Sequence, residues 1–210
     1  MKAVFAEFLD RNRMVSPWPA KCPDLLEDDH GWFSSADEFV LDRVIDMLAG
    51  VDRVYNIVEV GAWLGRSTKY LAKAGLVWSV DTWLGSPEHK DPARDDCRDR
   101  LPRLYEQWMA NVWGYSSLLL PVRMTSSDAS NLTWPELDLV FIDGDHSEAE
   151  VYRDIVAWAS HVRPGGIVCG HDWKLPSVMA ATQAACGMFE RDNRLFGTGW
   201  AGNVWWMQFN

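Results

Sequence analysis

A chain of 210 residues, 48% hydrophobic and 24% charged, is sized for a single domain, residues 1–210, with a substantial core. Its formal net charge of −10 argues against a general nucleic-acid binder, which carries a basic footprint. No apolar run approaches the roughly 18 residues of a membrane span, and MKAVFAEFLDRNR has acids where a signal peptide needs an apolar core.

In chain order, Met1–Leu9 is expected as a short helix. Pro17, Pro19 and Pro23 then exclude regular structure, and Glu27, Asp28 and Asp29 form an acidic patch. Residues 1–33 read either as a lid carrying Trp18, Trp32 and Phe33 over a ligand, or as an N-terminal arm packed on a sheet edge. Ser35-Ala-Asp-Glu38 has the form of a capping box. Leu41, Val44, Ile45 and Leu48 follow at i, i+3, i+4, i+7, and Gly50 closes this amphipathic helix.

The chain is organised around YNIVEVGAWLGRSTKYLAKAGLVWSVDTW, residues 55–83. Ile57, Val58 and Val60 make an apolar run, Gly61 and Gly65 a turn, Ser67 to Ala74 a helix stopped by Gly75, and Leu76–Val80 a second strand ending at Asp81. A right-handed crossover puts the glycine turn at the carboxyl edge of the sheet, where ligands bind. The glycines let backbone approach a ligand, the helix start at Ser67 offers free N–H groups, and Asp81 is placed to accept from ribose hydroxyls. The unit therefore expects a nucleoside. A phosphate loop is excluded by spacing and by Arg66 in place of Lys, and a dinucleotide fingerprint is broken by Trp63 and Arg66. A glycine turn without a ligand is the plain alternative.

A long charged loop follows Asp81 to Pro102, then a helix near Arg103–Val112, and an edge strand Leu118–Met124 interrupted by Pro121. Leu137–Asp143 reads as a buried parallel strand. Ser147-Glu-Ala-Glu150 has the form of a second capping box, ahead of a stripe of Val151, Ile155, Trp158 and Val162. Arg163-Pro-Gly-Gly166 is expected as a turn, Ile167–Cys169 as a strand, and Leu175–Cys186 as a helix stopped by Gly187. Two final β-prone segments, Met188–Phe196 and Asn203–Phe209, flank a Gly197-Thr-Gly199 turn. The pattern is an α/β, mostly parallel, seven-stranded sheet with helices on both faces and an antiparallel C-terminal strand pair. Cys22, Cys97, Cys169 and Cys186 form no C-x-x-C pair, so a reduced, cytoplasmic protein without zinc is expected. Of thirteen tryptophans, Trp63, Trp83 and Trp173 all follow strands at one sheet edge and could line an acceptor pocket; Trp158, Trp205 and Trp206 suit the core.

VEVGAWLG, VDTW and DLVFIDGDH with VRPGGIVCGHDW resemble class I S-adenosylmethionine-dependent methyltransferases, residues 57–173. The FIDGDH…PGG…HD block is most similar to small bacterial O-methyltransferases of the macrocin O-methyltransferase-like group. The resemblance implies a Rossmann-like fold and S-adenosylmethionine as cofactor. Its implied contacts are Glu59, Gly61, Ala62, Trp63, Gly65, Ser67, Asp81, Thr82, Trp83, Asp143, and Asp128 with Ala129 at the adenine; for Asp128 a helix cap is the plain alternative. It also implies a divalent ion, Mg2+ or Mn2+, on Asp143 and Asp172 with His171 beside them, and His146 as the base acting with Asp143. Here His171 replaces the acid commonly found at that position, so a metal-free site stays open. The implied reaction is methyl transfer to a hydroxyl of a small molecule, such as a sugar or natural product. A small-molecule acceptor is the expected partner, with a homodimer as the expected self-association. A nicotinamide oxidoreductase on the same fold and a non-catalytic S-adenosylmethionine-binding module are the alternatives.

Overall fold

The computed structural model describes residues 2–28, 30–48 and 54–210. The strands are β1 (Tyr55–Val60), β2 (Gly75–Asp81), β3 (Leu119–Arg123), β4 (Leu137–Ile142), β5 (Val162–Gly170), β6 (Leu195–Ala201) and β7 (Val204–Phe209). The helices are α1 (Ala3–Arg11), α2 (Ser35–Asp46), α3 (Arg66–Leu71), α4 (Asp95–Arg98), α5 (Leu104–Val112), α6 (Ser126–Ala129), α7 (Glu148–Trp158) and α8 (Pro176–Arg191).

The seven strands lie in the order β3-β2-β1-β4-β5-β7-β6. The first five are parallel, and β7 runs antiparallel to both β5 and β6. β1, β2 and β4 are buried almost throughout, as apolar strands covered on both faces must be. On one face, Phe5 and Phe8 of α1, Val151, Ile155 and Trp158 of α7, and Val178 and Phe189 of α8 cover Val58, Trp78 and Val140. On the other, Leu41 and Val44 of α2, Leu71 of α3, and Leu104, Trp108 and Val112 of α5 cover Ile57, Val77, Leu139 and Phe141. The chain order reverses between β1 and β4, and that crevice at the carboxyl ends is where an open α/β sheet binds ligands. No helix among the described residues is long and apolar enough to cross a membrane.

Several local expectations shift. The first capping box is Ser34/Asp37, one residue earlier than Ser35/Glu38, with Ser34 N donating to Asp37 Oδ2 at 2.8 Å. Asp37 is buried, whereas Glu38 is only partly so. Ser147 precedes α7 without a side-chain cap; its own N–H is taken by Asp145 Oδ1 at 2.8 Å. Pro164 to Gly166 lie inside β5, and the irregularity shows as a register shift against β4 rather than as a turn. Val162 accordingly belongs to β5, not to the α7 stripe. α8 runs through Gly187 to Arg191, because buried Phe189 packs edge-on against Phe209 at 5.2 Å. Burying a Phe contributes about 1.5–3 kcal/mol, which outweighs the ~1 kcal/mol penalty of a mid-helix glycine. Gly197 and Gly199 lie within β6, where a Cβ on Gly199 would sit 2.4 Å from the Trp206 ring, and the hairpin turns instead at Gly202 with φ +60°. Gly50 and Asp29 lie outside the described residues.

Candidate active site

The glycine turn is built by two acids, one buried and one half-buried. Glu59, fully buried on β1, accepts from Ser67 Oγ and Thr68 Oγ1 at 2.6 Å each and from Ser79 Oγ at 2.9 Å. It fixes the start of α3 to the sheet. Burial pushes its carboxyl up to about 7, against the pull of the three hydroxyls. Asp81 accepts from Ala62 N at 2.8 Å, Trp63 N at 3.1 Å and Trp83 N at 2.7 Å. Its carboxyl is also raised by burial, opposed by those same amides. The side chain placed for ribose therefore also braces the loop. Trp63 stands in the left-handed region at φ +44°, the conformation a glycine would supply there. Gly61 is obligatory: a Cβ on it would lie 2.1 Å from the Asp143 carbonyl oxygen.

Two cavities of about 360 Å³ each meet at this turn. Gly61, Trp63, His89, Asp143 and Gly144 line both. The first continues along Trp32, Phe33, Ala62, Arg66, Ser67, Glu88, His146, His171, Asp172 and Asn203. The second continues along Val80, Asp81, Thr82, Leu104, Met124–Ser127 and Asp154. Both fall in the size range of small-molecule sites. The end of the N-terminal arm thus reaches the first cavity, while Trp18 is docked by its Nε1–H on the Leu119 carbonyl at 3.0 Å.

Five residues of the expected cofactor set line neither cavity. Glu59 is sealed in the core as described. Gly65 lies under α5, where a Cβ would meet Val112 Cγ1 at 2.5 Å. Trp83 is buried against Tyr105 and Trp108 at 4.7 and 4.9 Å. Asp128 is exposed and accepts from Thr125 Oγ1 at 2.7 Å at the head of α6, the capping alternative. Ala129 is buried, and its carbonyl accepts from Trp134 Nε1 at 2.9 Å. In the place expected for Asp128, the second cavity has Ser126 and Asp154, which are hydrogen-bonded at 2.6 Å. Trp173 is likewise outside the first cavity's lining, stacked on Trp200 at 4.9 Å. Of the three edge tryptophans only Trp63 faces the site, stacked on His89 at 4.4 Å and near Trp32 at 5.8 Å.

The tips of β4 and β5 bring together the ionisable groups singled out from sequence. Ligand atoms of Asp143, His171 and Asp172 lie within 4.8 Å of one another. His171 Nδ1 is 3.7 Å from Asp143 Oδ1 and 3.4 Å from Asp172 Oδ2. His146 Nε2 is 3.6 Å from Asp143 Oδ1 and 3.1 Å from Asp172 Oδ2, yet this buried nitrogen has no aligned hydrogen-bond partner. Asp172 holds φ +57°, a strained backbone of the kind found at functional sites. Burial alone would lower both imidazoles. The Asp143 and Asp172 carboxylates outweigh it, holding His146 up at about 11, and Asp172, helped by Asp143 and Asp37, holds His171 at about 9. Asp172 is in turn pulled well below the carboxylate range by the two histidines, against its own burial. Two carboxylates and the His171 imidazole, with ligand atoms this close together, fit a divalent cation, with Mn2+ tolerating the nitrogen ligand better than Mg2+. A second grouping, His30, Asp96 and Cys97, already holds the Arg94 guanidinium, 3.1 Å from both Cys97 Sγ and Asp96 Oδ1.

The chain matches the model of the family described as "Methyltransferase domain" over residues 58–173, more than half its length. Among solved structures, the O-methyltransferase from Bacillus cereus in complex with SAH is 16% identical, with 100% of this chain and 92% of that one covered and a TM-score of 0.54. The O-methyltransferase NovP is 14% identical, with coverage of 97% and 88% and a TM-score of 0.62. MycE methyltransferase of the mycinamycin biosynthetic pathway, in complex with Mg and SAH, is 16% identical, with coverage of 100% and 55% and a TM-score of 0.53. At these identities the structural likenesses establish the shared fold. The matched span runs from β1 past the Asp143 and Asp172 strand ends to Trp173, and the chain belongs to the methyltransferase domain family.

Proposed function

We propose that this chain transfers the methyl group of S-adenosylmethionine to a hydroxyl of a small molecule, with His146 as base and a divalent cation on Asp143, His171 and Asp172. The observation that carries the reading is the convergence of those four side chains, from two strand ends, in the cavity that the Gly61–Trp63 turn also lines. The sulfonium already carries an activated methyl, so the protein's contribution is orientation and exclusion of water. Gly61, Ala62, Trp63 and Ser67 hold the amino-acid end of the cofactor, and Asp81 and Thr82 flank its ribose. Ser126 and Asp154 stand at the adenine end of the second cavity. Trp32 and Phe33 close the first cavity over the acceptor.

A divalent cation at the acidic set would lower the pKa of a bound hydroxyl. His146 takes that proton at Nε2. While Asp143 and Asp172 face His146 alone, they keep it protonated; engaged on a cation, they release that hold. The B. cereus and NovP names, both O-methyltransferases, speak for a hydroxyl acceptor, and the Mg in the MycE complex speaks for the cation. Calorimetry with S-adenosylmethionine, S-adenosylhomocysteine and NAD, with and without MgCl2 or MnCl2, tests the reading. Tight binding of the first two is expected; binding of NAD in preference would overturn it.

A further inference from the structure

The turn after β2 brings another acid to His146. Glu88 lies in a single 3-10 turn, Glu88–Lys90, and its Oε1 is 2.9 Å from His146 Nδ1. The two ring nitrogens of His146 therefore face different groups. Nδ1 faces Glu88, and Nε2 faces Asp143 and Asp172. Asp145, next to His146 in sequence, is taken up by the Ser147 amide at 2.8 Å.

The seat of Glu88 is set by the adjacent residue. The His89 ring stacks on Trp63 at 4.4 Å and 19°, and faces Trp32 at 5.8 Å and 25°. Its Nδ1 accepts from Ser86 N at 3.1 Å and lies 2.8 Å from Ser86 Oγ. The turn is thus pinned to the same tryptophan that forms the wall between the two cavities. A surface ion pair of this kind contributes little. This one differs in that His146 is only 21% exposed, against 44% for Glu88, and both partners line the first cavity. An imidazole presents to its substrate the nitrogen that its other partner leaves free, so the group on Nδ1 decides how Nε2 is aimed.

We propose that Glu88 is a positioning residue for His146: it holds Nδ1 and so aims Nε2 at the space between Asp143, Asp172 and the acceptor hydroxyl. This rests on the base role given to His146 above. The test is therefore read from the ring itself and not from turnover. Protein labelled with 15N-histidine is examined by NMR with MnCl2 left out, and with MgCl2 and S-adenosylhomocysteine added. His146 is assigned from its disappearance in His146→Gln. The expected result is a downfield Nδ1-bound proton on His146, protected from exchange with water. It should be lost in Glu88→Ala while the backbone spectrum and S-adenosylhomocysteine affinity stay as in the wild type. A protected Nδ1 proton that survives in Glu88→Ala, or that is missing in the wild type, overturns the proposal. If the ring behaves as expected but no hydroxyl acceptor is ever methylated, the function is at fault and the Glu88 contact stands.

Discussion

His171 Nε2 lies 3.3 Å from Asp37 Oδ2, so the N-terminus of α2 and the tip of β5 meet at one imidazole. Asp37 is at once the helix-capping acid and the outer partner of a candidate metal ligand. A carboxylate on the far nitrogen fixes a ligand histidine's orientation and raises its basicity. Asp37→Ala should therefore weaken Mn2+ binding by about 10- to 100-fold. It should also lower stability by about 1 kcal/mol through loss of the cap. Ser34→Ala separates the two effects, since it removes the cap and leaves the His171 partner in place. Mn2+ titration followed by electron paramagnetic resonance reads the first effect and urea unfolding the second. Equal Mn2+ affinity in Asp37→Ala would reduce the residue to a helix cap.

Glu59 makes stability depend on pH. Its carboxyl rises from 4.5 to about 7 on folding, chiefly through burial. The folded state then binds more protons than the unfolded state between those values. The favourable contribution is complete below 4.5 and is lost as pH rises through about 7. By pH 8 the lost stability amounts to about 3 kcal/mol. Asp154, raised to about 6 by burial, acts in the same direction. Glu59→Gln should flatten the fall in unfolding free energy between pH 5 and pH 8 while Asp154's share persists. Parallel curves for wild type and variant would show that Glu59 ionises normally in the folded protein.

Much of this was legible in the residues, and the exceptions share a cause. β1, β2 and β4 announce themselves because buried parallel strands need unbroken apolar runs. The meeting of Asp143, His146, His171 and Asp172 follows once β4 and β5 are placed side by side, and it was the family resemblance that singled those residues out. Glu88 and Asp37 carried no comparable signal: each reaches the site from a turn or helix start far away in sequence. Trp63 at the middle-glycine position looked like a defect in the motif, because only the backbone shows that a tryptophan holds φ +44° there. Trp83 and Trp173 follow strands just as Trp63 does. Which side a residue takes at a strand tip depends on the turn that follows, and the sequence pattern does not encode that turn. The expected cap Ser35/Glu38 sits one residue late, because the observed box closes on Asp37, which is buried against His171.

The acidic cluster gives a sharp pair of outcomes for metal removal. Once an acceptor is in hand, methyl transfer should fall with EDTA and recover with Mn2+ or Mg2+. Asp143→Ala and Asp172→Ala should each abolish Mn2+ binding at the site and mimic the chelator. His146→Ala should leave Mn2+ and S-adenosylhomocysteine affinity nearly unchanged while the rate drops about 10²–10⁴-fold, the usual worth of a general base. Full activity in EDTA would remove the cation and leave His146 as a metal-free base. Loss of Mn2+ binding in His146→Ala would instead make the histidine a ligand.

The adenine end proposed above gives opposite expectations for Asp128 and Asp154. Asp128 is exposed and engaged with Thr125, whereas Asp154 is buried, lines the second cavity and accepts from Ser126 Oγ at 2.6 Å. Trp158 Nε1 in turn donates to Ser126 Oγ at 2.8 Å, so the pair is anchored to the core and pre-set before any ligand arrives. A rigid carboxylate in that position can accept from an exocyclic amine. Asp154→Ala should weaken S-adenosylhomocysteine by about 1.5–3 kcal/mol, the range for a hydrogen bond to a charged group, which is roughly 10- to 100-fold. Asp128→Ala should leave affinity unchanged and lower only the stability of the short α6. Calorimetry on both variants decides between them. Weaker binding in Asp128→Ala with no change in Asp154→Ala would return the adenine to the position that the family resemblance alone assigned.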